Sequence, residues 1–477
     1  MDTKKLRQKI LDLAIRGKLV PQDPNDEHAS ILLERIKAEK ERLIKEGKIK
    51  RSKKSAKTSD TPHYEKILFE VPDNWVWCKL EDIVSFGGGK TPSMDNKEYW
   101  HNGNHLWVTS KDMKYSHITD SLMKITDKAL ELMTIYERGT LLVVTRSGIL
   151  RHTLPISILE SPATVNQDLK AISPYLQELS EYLYIVIKAN EHFILKEYHK
   201  DGTTVDSIDF DKFKCLPIPL PPITEQRRIV AETKHWFALI EQINQDKSDL
   251  QTIIHKVKNK ILDFAIHGKL VPQDPNDEPA FELLKRVNPN AEITCDNGHY
   301  ENLPDSWYLT DIKSIFTINP KNKVADDVIA GFVPMTNIAD GYSNEFRFES
   351  KLWGDIKKGF THFAEGDIVV AKISPCLENR KSVIVTSLPN GIGAGTTELF
   401  VFRSQCVLAE YGLYFFKSDL FINHCVGTFN GVVGQQRISK SIIESIKFPL
   451  PPIPEQKRIV DAIHTVFAKL DTIMEGL

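Results

Sequence analysis

No run of apolar residues in this 477-residue chain is long enough to cross a bilayer. The opening segment, MDTKKLRQKILDLAIRG, carries charge throughout and lacks the apolar core and small-residue cleavage site of a secretory signal. Cysteine is scarce. The six residues Cys78, Cys215, Cys295, Cys376, Cys406 and Cys425 are scattered, with no pair at a metal-ligand spacing and no disulfide framework. These absences predict a reduced, cytoplasmic protein. An excess of one charge is missing too. A net charge of −2 excludes a uniformly basic nucleic-acid binder, so any such surface must be local.

Catalytic signatures are also absent. There is no GxGxxG, no HExxH and no Asn-Pro-Pro-aromatic motif of an amino-methyltransferase, and the fifteen histidines form no ligand pattern. GGGKT from Gly87 ends like a phosphate-binding loop, but Val84 stands where that loop needs its first glycine, which leaves a glycine-rich turn. PDSWYLTDIK from Pro304 offers Asp305, Asp311 and Lys313 to a nuclease reading. The acids lie too close in sequence for the usual strand pair, and the corresponding earlier stretch lacks the lysine. We read it as a strand entry with Trp307 in the core. Binding is better supported than catalysis, and no catalytic residue or metal ligand is assigned.

What the chain does have is a repeat. KILDLAIRGKLVPQDPNDE begins at Lys9 and KILDFAIHGKLVPQDPNDE at Lys260. PLPPITEQRRIV from Pro219 returns as PLPPIPEQKRIV from Pro449. VPDNWVWCKLEDI from Val71 faintly matches LPDSWYLTDIKSI from Leu303, and GTLLVVTRS from Gly139 matches GDIVVAKIS from Gly366. The order is the same in each half, which marks a tandem duplication of a long unit. The interiors, about residues 61–220 and 299–450, have diverged, and a Lys-rich insertion from Ile36 occurs in the first half only. LLVVT, ISILE, DIVVAKI, KSVIVTS and ELFVFR read as strands; SEYLYIVIKAN and LAEYGLYFFKS read as helices. Each interior is then a mixed α/β domain of ordinary size.

Between the interiors, Trp236, Ile240, Ile243, Leu250, Ile254, Val257, Ile261 and Phe264 follow spacings of three and four, interrupted by Lys247. That is a heptad seam, on a helix predicted from Thr224 to His267. The C-terminal helix copies its first half and the N-terminal helix its second. The termini are therefore expected to meet and form an antiparallel partner for it.

Gly17 and Gly268 are expected to stop a helix in the left-handed conformation. Asp23 and Asp274 are expected to cap the next one, with Pro24 and Pro275 at its first position. Folding leaves the identity of the other polar letters unexplained. Lys18, Gln22, Asn25, Asp26 and Glu27, with Lys269, Gln273, Asn276, Asp277 and Glu278, are therefore candidates for binding two copies of one protein partner.

Loops rich in glycine, cations and hydroxyls recur at matching places in the interiors. TRSGILRH supplies Arg146, Ser147 and Arg151, and KDGTTVDS supplies Lys200 and Thr203. KISPCLENRKS supplies Lys372, Ser374, Arg380 and Lys381, and GVVGQQRIS supplies Gln435, Gln436 and Arg437. Arg and Lys contact phosphates or guanine, and Gln pairs with adenine.

These elements, with KTPSMDNKEYWHNGNHLWVTSKDM, NQDLKAISP and GFVPMTNI, carry a resemblance over essentially the whole chain. It resembles the DNA-specificity subunit of type I restriction–modification systems, in the subgroup with an N-terminal conserved arm. The resemblance implies a fold of two mixed α/β target-recognition domains separated by a long antiparallel helical coiled coil with a pseudo-two-fold repeat. Residues 1–60 would be the helical arm and basic linker and 61–222 the first recognition domain. Residues 223–297 would be the central helix and connector, 298–452 the second recognition domain, and 453–477 the C-terminal helix. It further implies a non-catalytic subunit in which each domain reads half of a split double-stranded DNA site. It adds Lys90, Thr91, Lys111 and Asn337, within those motifs, to the DNA-contact candidates. Two methyltransferase subunits and restriction/translocase subunits are the implied partners, and S-adenosylmethionine, ATP and Mg are expected on them, with no cofactor on this chain. The competing classes are a protein-only coiled-coil scaffold and the nuclease built on Asp305, Asp311 and Lys313.

Overall fold

The apolar runs LLVVT and ISILE fold as adjacent antiparallel strands at the centre of the first repeat, with Val143 opposite Ile156. Their four-residue cores are buried throughout, as expected for strands covered on both faces. The computed structural model describes residues 2–49, 69–202, 205–289, 303–404, 406–428 and 436–476. Thr203, Gln435 and the linker from residue 50 lie outside them. The chain divides into two units, residues 1–245 and 246–477.

The first unit contains β1 (Val76–Lys79), β2 (Val84–Gly88), β3 (His105–Val108), β4 (His117–Ile118), β5 (Met123–Ile125) and β6 (Leu141–Val144), followed by β7 (Ile156–Leu159), β8 (Ala163–Val165), β9 (Leu169–Pro174), β10 (His199–Lys200), β11 (Ser207–Ile208) and β12 (Pro217–Leu220). The main sheet has the order β2-β9-β6-β7-β4, and a second has the order β5-β3-β8. The helix Ser180–Ala189 covers β7 and meets the N-terminal helix Thr3–Ile15. Leu11, Ala14 and Ile15 of that first helix therefore join the same apolar core as Leu141, Leu183 and Ile187.

The second unit contains β13 (Tyr308–Asp311), β14 (Thr317–Ile318), β15 (Ile329–Val333), β16 (Glu349–Leu352), β17 (Thr361–Ala364), β18 (Ile368–Ala371), β19 (Ser382–Ile384), β20 (Ile392–Gly395), β21 (Leu399–Arg403) and β22 (Lys447–Leu450). Its sheets have the orders β14-β21-β18-β19 and β16-β15-β20-β17. The runs DIVVAKI, KSVIVTS and ELFVFR supply β18, β19 and β21, and LAEYGLYFFKS supplies the buried helix Ala409–Phe416.

The central helix runs from Ile223 to Ile266, within a residue of each predicted end. Gly17 and Gly268 follow helices with φ of +65° and +66°, and a Cβ at either would press into Pro72 or Pro304. Only part of the predicted seam is inside. Ile240, Ile254 and Ile261 are buried, while Trp236, Val257 and Phe264 are exposed. The buried positions repeat at multiples of seven, so one row of the heptad is covered, while the other is half-buried at Ile243 and Leu250 and exposed toward its ends. In the first unit Arg7 pairs with Glu241 and lies over Phe237. In the second, Lys258 pairs with Asp471 and lies over Phe467 of the C-terminal helix Ile453–Glu475. Gln22 reaches Glu225 and Gln273 reaches Glu455, so each end helix runs antiparallel to its own part of the long helix.

Two local expectations are corrected. Asp23 and Asp274 cap no helix, because the next helices start at Ala29 and Ala280. Each carboxylate instead accepts the Asn25 or Asn276 backbone N–H at 2.9 Å, closing a tight turn through the proline. GGGKT is not a turn over Gly87 and Gly88, which lie in β2 opposite Ala171 and Lys170. Glycine is needed there because a Cβ on Gly87 would overlap the Tyr136 hydroxyl.

Candidate nucleic-acid interface

Strand register gathers the candidate loops of the first unit at one end of its main sheet. Gly88 at the end of β2 lies opposite Lys170, near the start of β9, and Val144 at the end of β6 lies opposite Leu169. The antiparallel pairing of β6 and β7, and the parallel pairing of β4 with β7, bring the segment before β4 to the same end. Hydrogen bonds tie these loops together. Thr91 Oγ1 donates to Gln167 Oε1 at 2.5 Å, the Lys90 N–H to Val165 O, and the Trp107 indole to Lys90 O. Thr145 N–H donates to Asp168 O, Ser147 N–H to Asp206 O, and Ile208 N–H to Thr145 O. Asn166 N–H donates to Val108 O, which brings the Lys111 loop alongside.

Lys90, Thr91, Lys111 and Arg146 are exposed at this end. Ser147 has a local duty, since its hydroxyl accepts the Ile149 N–H and caps the short turn Gly148–Arg151. Arg151 and Lys200 serve the framework. Arg151 Nε donates to buried Asp206 at 2.7 Å and holds that carboxyl below the usual range. Lys200 pairs with Asp209 at 2.9 Å.

The second unit repeats the arrangement. The end of β18 lies beside the start of β21, where Lys372 N–H donates to Glu398 O. A bridge between Ile373 and Arg437 brings these two loops together, with Ser374 N–H donating to Gln436 O. Arg437 Nε donates to Glu398 at 2.8 Å, and the Lys372 ammonium lies 5.4 Å from the Phe400 ring centre. Asn337 follows β15 as Lys111 follows β3, and its carbonyl accepts the Arg347 N–H. Sequence reasoning missed exposed Lys321, which follows β14 toward the same end. Its signal was a cationic run after a short strand, as at Lys90.

Arg380 and Lys381 are not brought to this surface. Arg380, whose side chain is 18% exposed, has φ of +58° and turns inward. It donates to Asn259 on the long helix at 3.0 Å and to Lys417 O, pairs with Asp419, and lies over the Tyr342 ring. Lys381 Nζ donates to Ile338 O at 2.6 Å. Beneath them Lys417 is fully buried, donating to Gly341 O at 2.6 Å and Arg380 O at 3.0 Å. Burial, reinforced by the Arg380 charge, pushes its ammonium down to about 7. Between that pH and about 10.4, the free-lysine value, the unfolded chain binds the extra proton. Stability should therefore rise with pH across this window and be lowest below it, where both states are charged. Melting curves from pH 7 to 9 should show this rise in the wild type and a flatter response in Lys417→Met. Parallel curves would refute the assignment.

The connectors are explained by partners within each unit. Gln22 Nε2 donates to Glu225 at 2.5 Å, and the Trp75 indole donates to the other oxygen at 2.9 Å. Asp26 pairs with Arg228 and accepts from Thr224. The second unit repeats Gln273 to Glu455 at 2.7 Å and Arg458 to Asp277 at 2.6 Å. Glu27 and Glu278 pair with Arg35 and Arg286, and Asn25 and Asn276 hold the turn. Burial raises the Glu225 and Glu455 carboxyls, opposed by the Trp and Gln donors. The premise that folding leaves these letters unexplained therefore fails for most of them. Lys18 and Lys269 are exposed and have no such role.

Of the nuclease trio, Asp311 is engaged by Lys447 at 2.9 Å. His199, Asp201 and Asp206 place their ligand atoms within 4.8 Å of one another, a group the sequence did not suggest, but Arg151 already binds Asp206. No helix among the described residues is long and apolar enough to cross a membrane.

The model of the type I restriction modification DNA specificity domain matches residues 72–251 and again 304–477. The type I restriction enzyme EcoAI specificity subunit of Escherichia coli is 44% identical over 226 residues, 43% of this chain and 38% of that protein. The EcoEI specificity subunit of the same species is 43% identical over 243 residues, 47% of this chain and 40% of that protein. The chain thus spans about two fifths of the length of these relatives. Among solved structures, the HsdS subunit from Thermoanaerobacter tengcongensis is 14% identical with a TM-score of 0.51, covering 86% of this chain and 93% of that one. A chain from a type I R-M system, also 14% identical, reaches 0.58 over 86% of this chain and 94% of that one. These last two likenesses concern the fold alone. With a family match in each half of a duplicated chain, the protein belongs to the family of type I restriction modification DNA specificity domains.

Proposed function

We propose that the chain is the DNA sequence-specificity subunit of a type I restriction–modification complex. The observation that carries this reading is the corresponding sheet end in both units, where connected loops present Lys90, Lys111 and Arg146 in one and Lys372 and Arg437 in the other. Two unlike sets of side chains on one repeated framework suit two unlike half-sites, with phosphate contacts setting register and base contacts setting sequence. The chain itself is non-catalytic in this reading. Methyltransferase and restriction/translocase subunits would carry S-adenosylmethionine, ATP and Mg. The long helix and the two end helices would form an antiparallel coiled-coil spacer with pseudo-two-fold symmetry, and the helix contacts within each unit support this. Exposed Lys18 and Lys269 remain candidates for meeting the methyltransferase subunits.

Arg146→Ala and Lys372→Ala test the reading. A lost bidentate base contact would cost about 1–3 kcal/mol and relax one position of one half-site. A lost phosphate contact would weaken all sequences alike and lower the salt slope by about one. Titration against duplex DNA at several salt concentrations separates these outcomes. Unchanged affinity in both variants, with assembly intact, would remove these loops from the readout. Salt-independent or absent DNA binding by the wild type would favour the protein-only scaffold.

A further inference from the structure

Two side chains at the sheet end of the first unit have no role in folding. Tyr115 is 77% exposed and Leu122 is 73% exposed, more than any other large hydrophobic side chain among the described residues. Isolated apolar residues on a surface are ordinary. These two differ because the backbone beneath them is firmly held. Tyr115 O accepts the Ser157 hydroxyl at 2.7 Å, and the neighbouring Ser116 O accepts the Ile158 N–H at 2.8 Å. Leu122 N–H donates to Asp112 Oδ1 at 2.7 Å, while Asp112 Oδ2 accepts from the Thr109 N–H and hydroxyl at 2.8 Å. One buttressed loop thus holds a phenol ring and an isobutyl group out in water.

The charge around them favours one occupant. Lys111 and Lys114 are exposed on the same loop, Asp112 spends its carboxylate on the loop's own Thr109 and Leu122, and Asp120 is paired with Lys124 at 3.0 Å. Register puts the loop at the end of the sheet that also carries Arg146. Cations beside an exposed ring and an aliphatic group suit a polyanion with flat apolar faces inside it. The second unit diverges here. Its Tyr-Ser pair, Tyr342–Ser343, turns the ring onto the unit's own helices, where the hydroxyl donates to Asn259 and the ring packs edge-on against Phe467 at 5.5 Å.

We propose that Tyr115 and Leu122 form an apolar wedge that reads a base step in the half-site of the first unit. Tyr115 stacks on a base that the step exposes, and Leu122 fills the space beside it. The inference rests on the DNA-specificity reading and adds a recognition mode to it, since the wedge favours easily unstacked steps such as TA or CA over stiff ones.

The test uses the full chain assembled with its methyltransferase subunits, with the methylated motif mapped for wild type, Tyr115→Ser, Tyr115→Phe and Tyr115→Ala/Leu122→Ala. The double variant should lose discrimination at one or two adjacent positions of one half-site and leave the other half-site intact. Its affinity for the cognate duplex should fall about tenfold or more, the usual scale for a lost stacking contact, and Tyr115→Phe should keep most of the wild-type affinity. A 2-aminopurine placed at the affected step should brighten on binding wild type and stay dark with Tyr115→Ser. Melting temperatures should not change, in contrast to Tyr342→Ala, which should lower them. An unchanged motif and affinity in the double variant would overturn the wedge while leaving the specificity reading in place. Impaired assembly with unaltered DNA affinity would also overturn it, in favour of a protein-docking patch. A wild-type complex without any sequence preference would instead sink the underlying reading.

Discussion

Glu225→Ala should destabilise the first unit strongly, although the residue lies at the start of a surface-spanning helix. Glu225 is fully buried and accepts from both the Gln22 amide and the Trp75 indole. Removing it leaves the buried Trp75 indole unpaired and releases the exposed Gln22 amide to water, so a loss of about 1–3 kcal/mol is expected. The connector should come loose with it, because Gln22 and Asp26 are its attachments to the long helix. Glu225→Gln should cost less, since one acceptor survives and the buried charge is gone. Glu455→Ala should destabilise the second unit less, because there, among the described residues, the carboxylate accepts from the Gln273 amide alone. The sites share no partner, so the double variant should lose roughly the sum. Thermal melting with hydrogen exchange on the connector measures both effects. An unchanged melting curve with impaired assembly would return the connector to the role of a partner site.

Inserting four residues beside Lys247 should lengthen the gap between the two half-sites without altering either sequence. The helix is continuous from Ile223 to Ile266 and passes through the boundary between the units at residues 245 and 246. The first unit holds it through Arg7 and Glu241, and the second through Lys258 and Asp471. An insertion between these clamps leaves each one in register. Four residues add about 6 Å and slightly more than one turn. Against a duplex rise of about 3.4 Å per base pair, the gap should grow by one or two base pairs. Two residues would add about half a turn and put the two clamps out of phase with each other, which should abolish methylation without unfolding either unit. Methylation mapping of both variants decides the matter. An active four-residue variant with the original gap would show that this helix does not measure DNA.

The strands, the long helix and the helix-stopping glycines were legible because apolar periodicity and left-handed glycine are local signals. The connector was not. Its polar letters looked free only because their partners sit some two hundred residues away, at Glu225 and Arg228. The clue was that Glu-Gln-x-Arg repeats at the start of both copies of that helix, in step with the connector. The heptad seam was half right, since periodicity gives the rows but not which one a neighbour covers. Arg380 and Lys381 looked like partners of Lys372, yet a left-handed residue at the loop's end turns them inward, and composition cannot show that. Tyr115 carried no signal at all, because exposure of an aromatic residue depends on the loop beneath it.

Arg380 also bears on the thermodynamics of recognition. The loop that begins at Lys372 ends with a side chain fastened to the long helix and to the Ala409–Phe416 helix end. Its conformational entropy is thus largely lost when the chain folds, and little ordering remains for the encounter with a ligand. Association through this loop should resemble the docking of rigid bodies, with a small heat-capacity change and a rate set by electrostatic steering. Cutting the fastening with Arg380→Ala would shift that entropy from folding to binding, and weaken affinity without removing a single contact to the bound molecule.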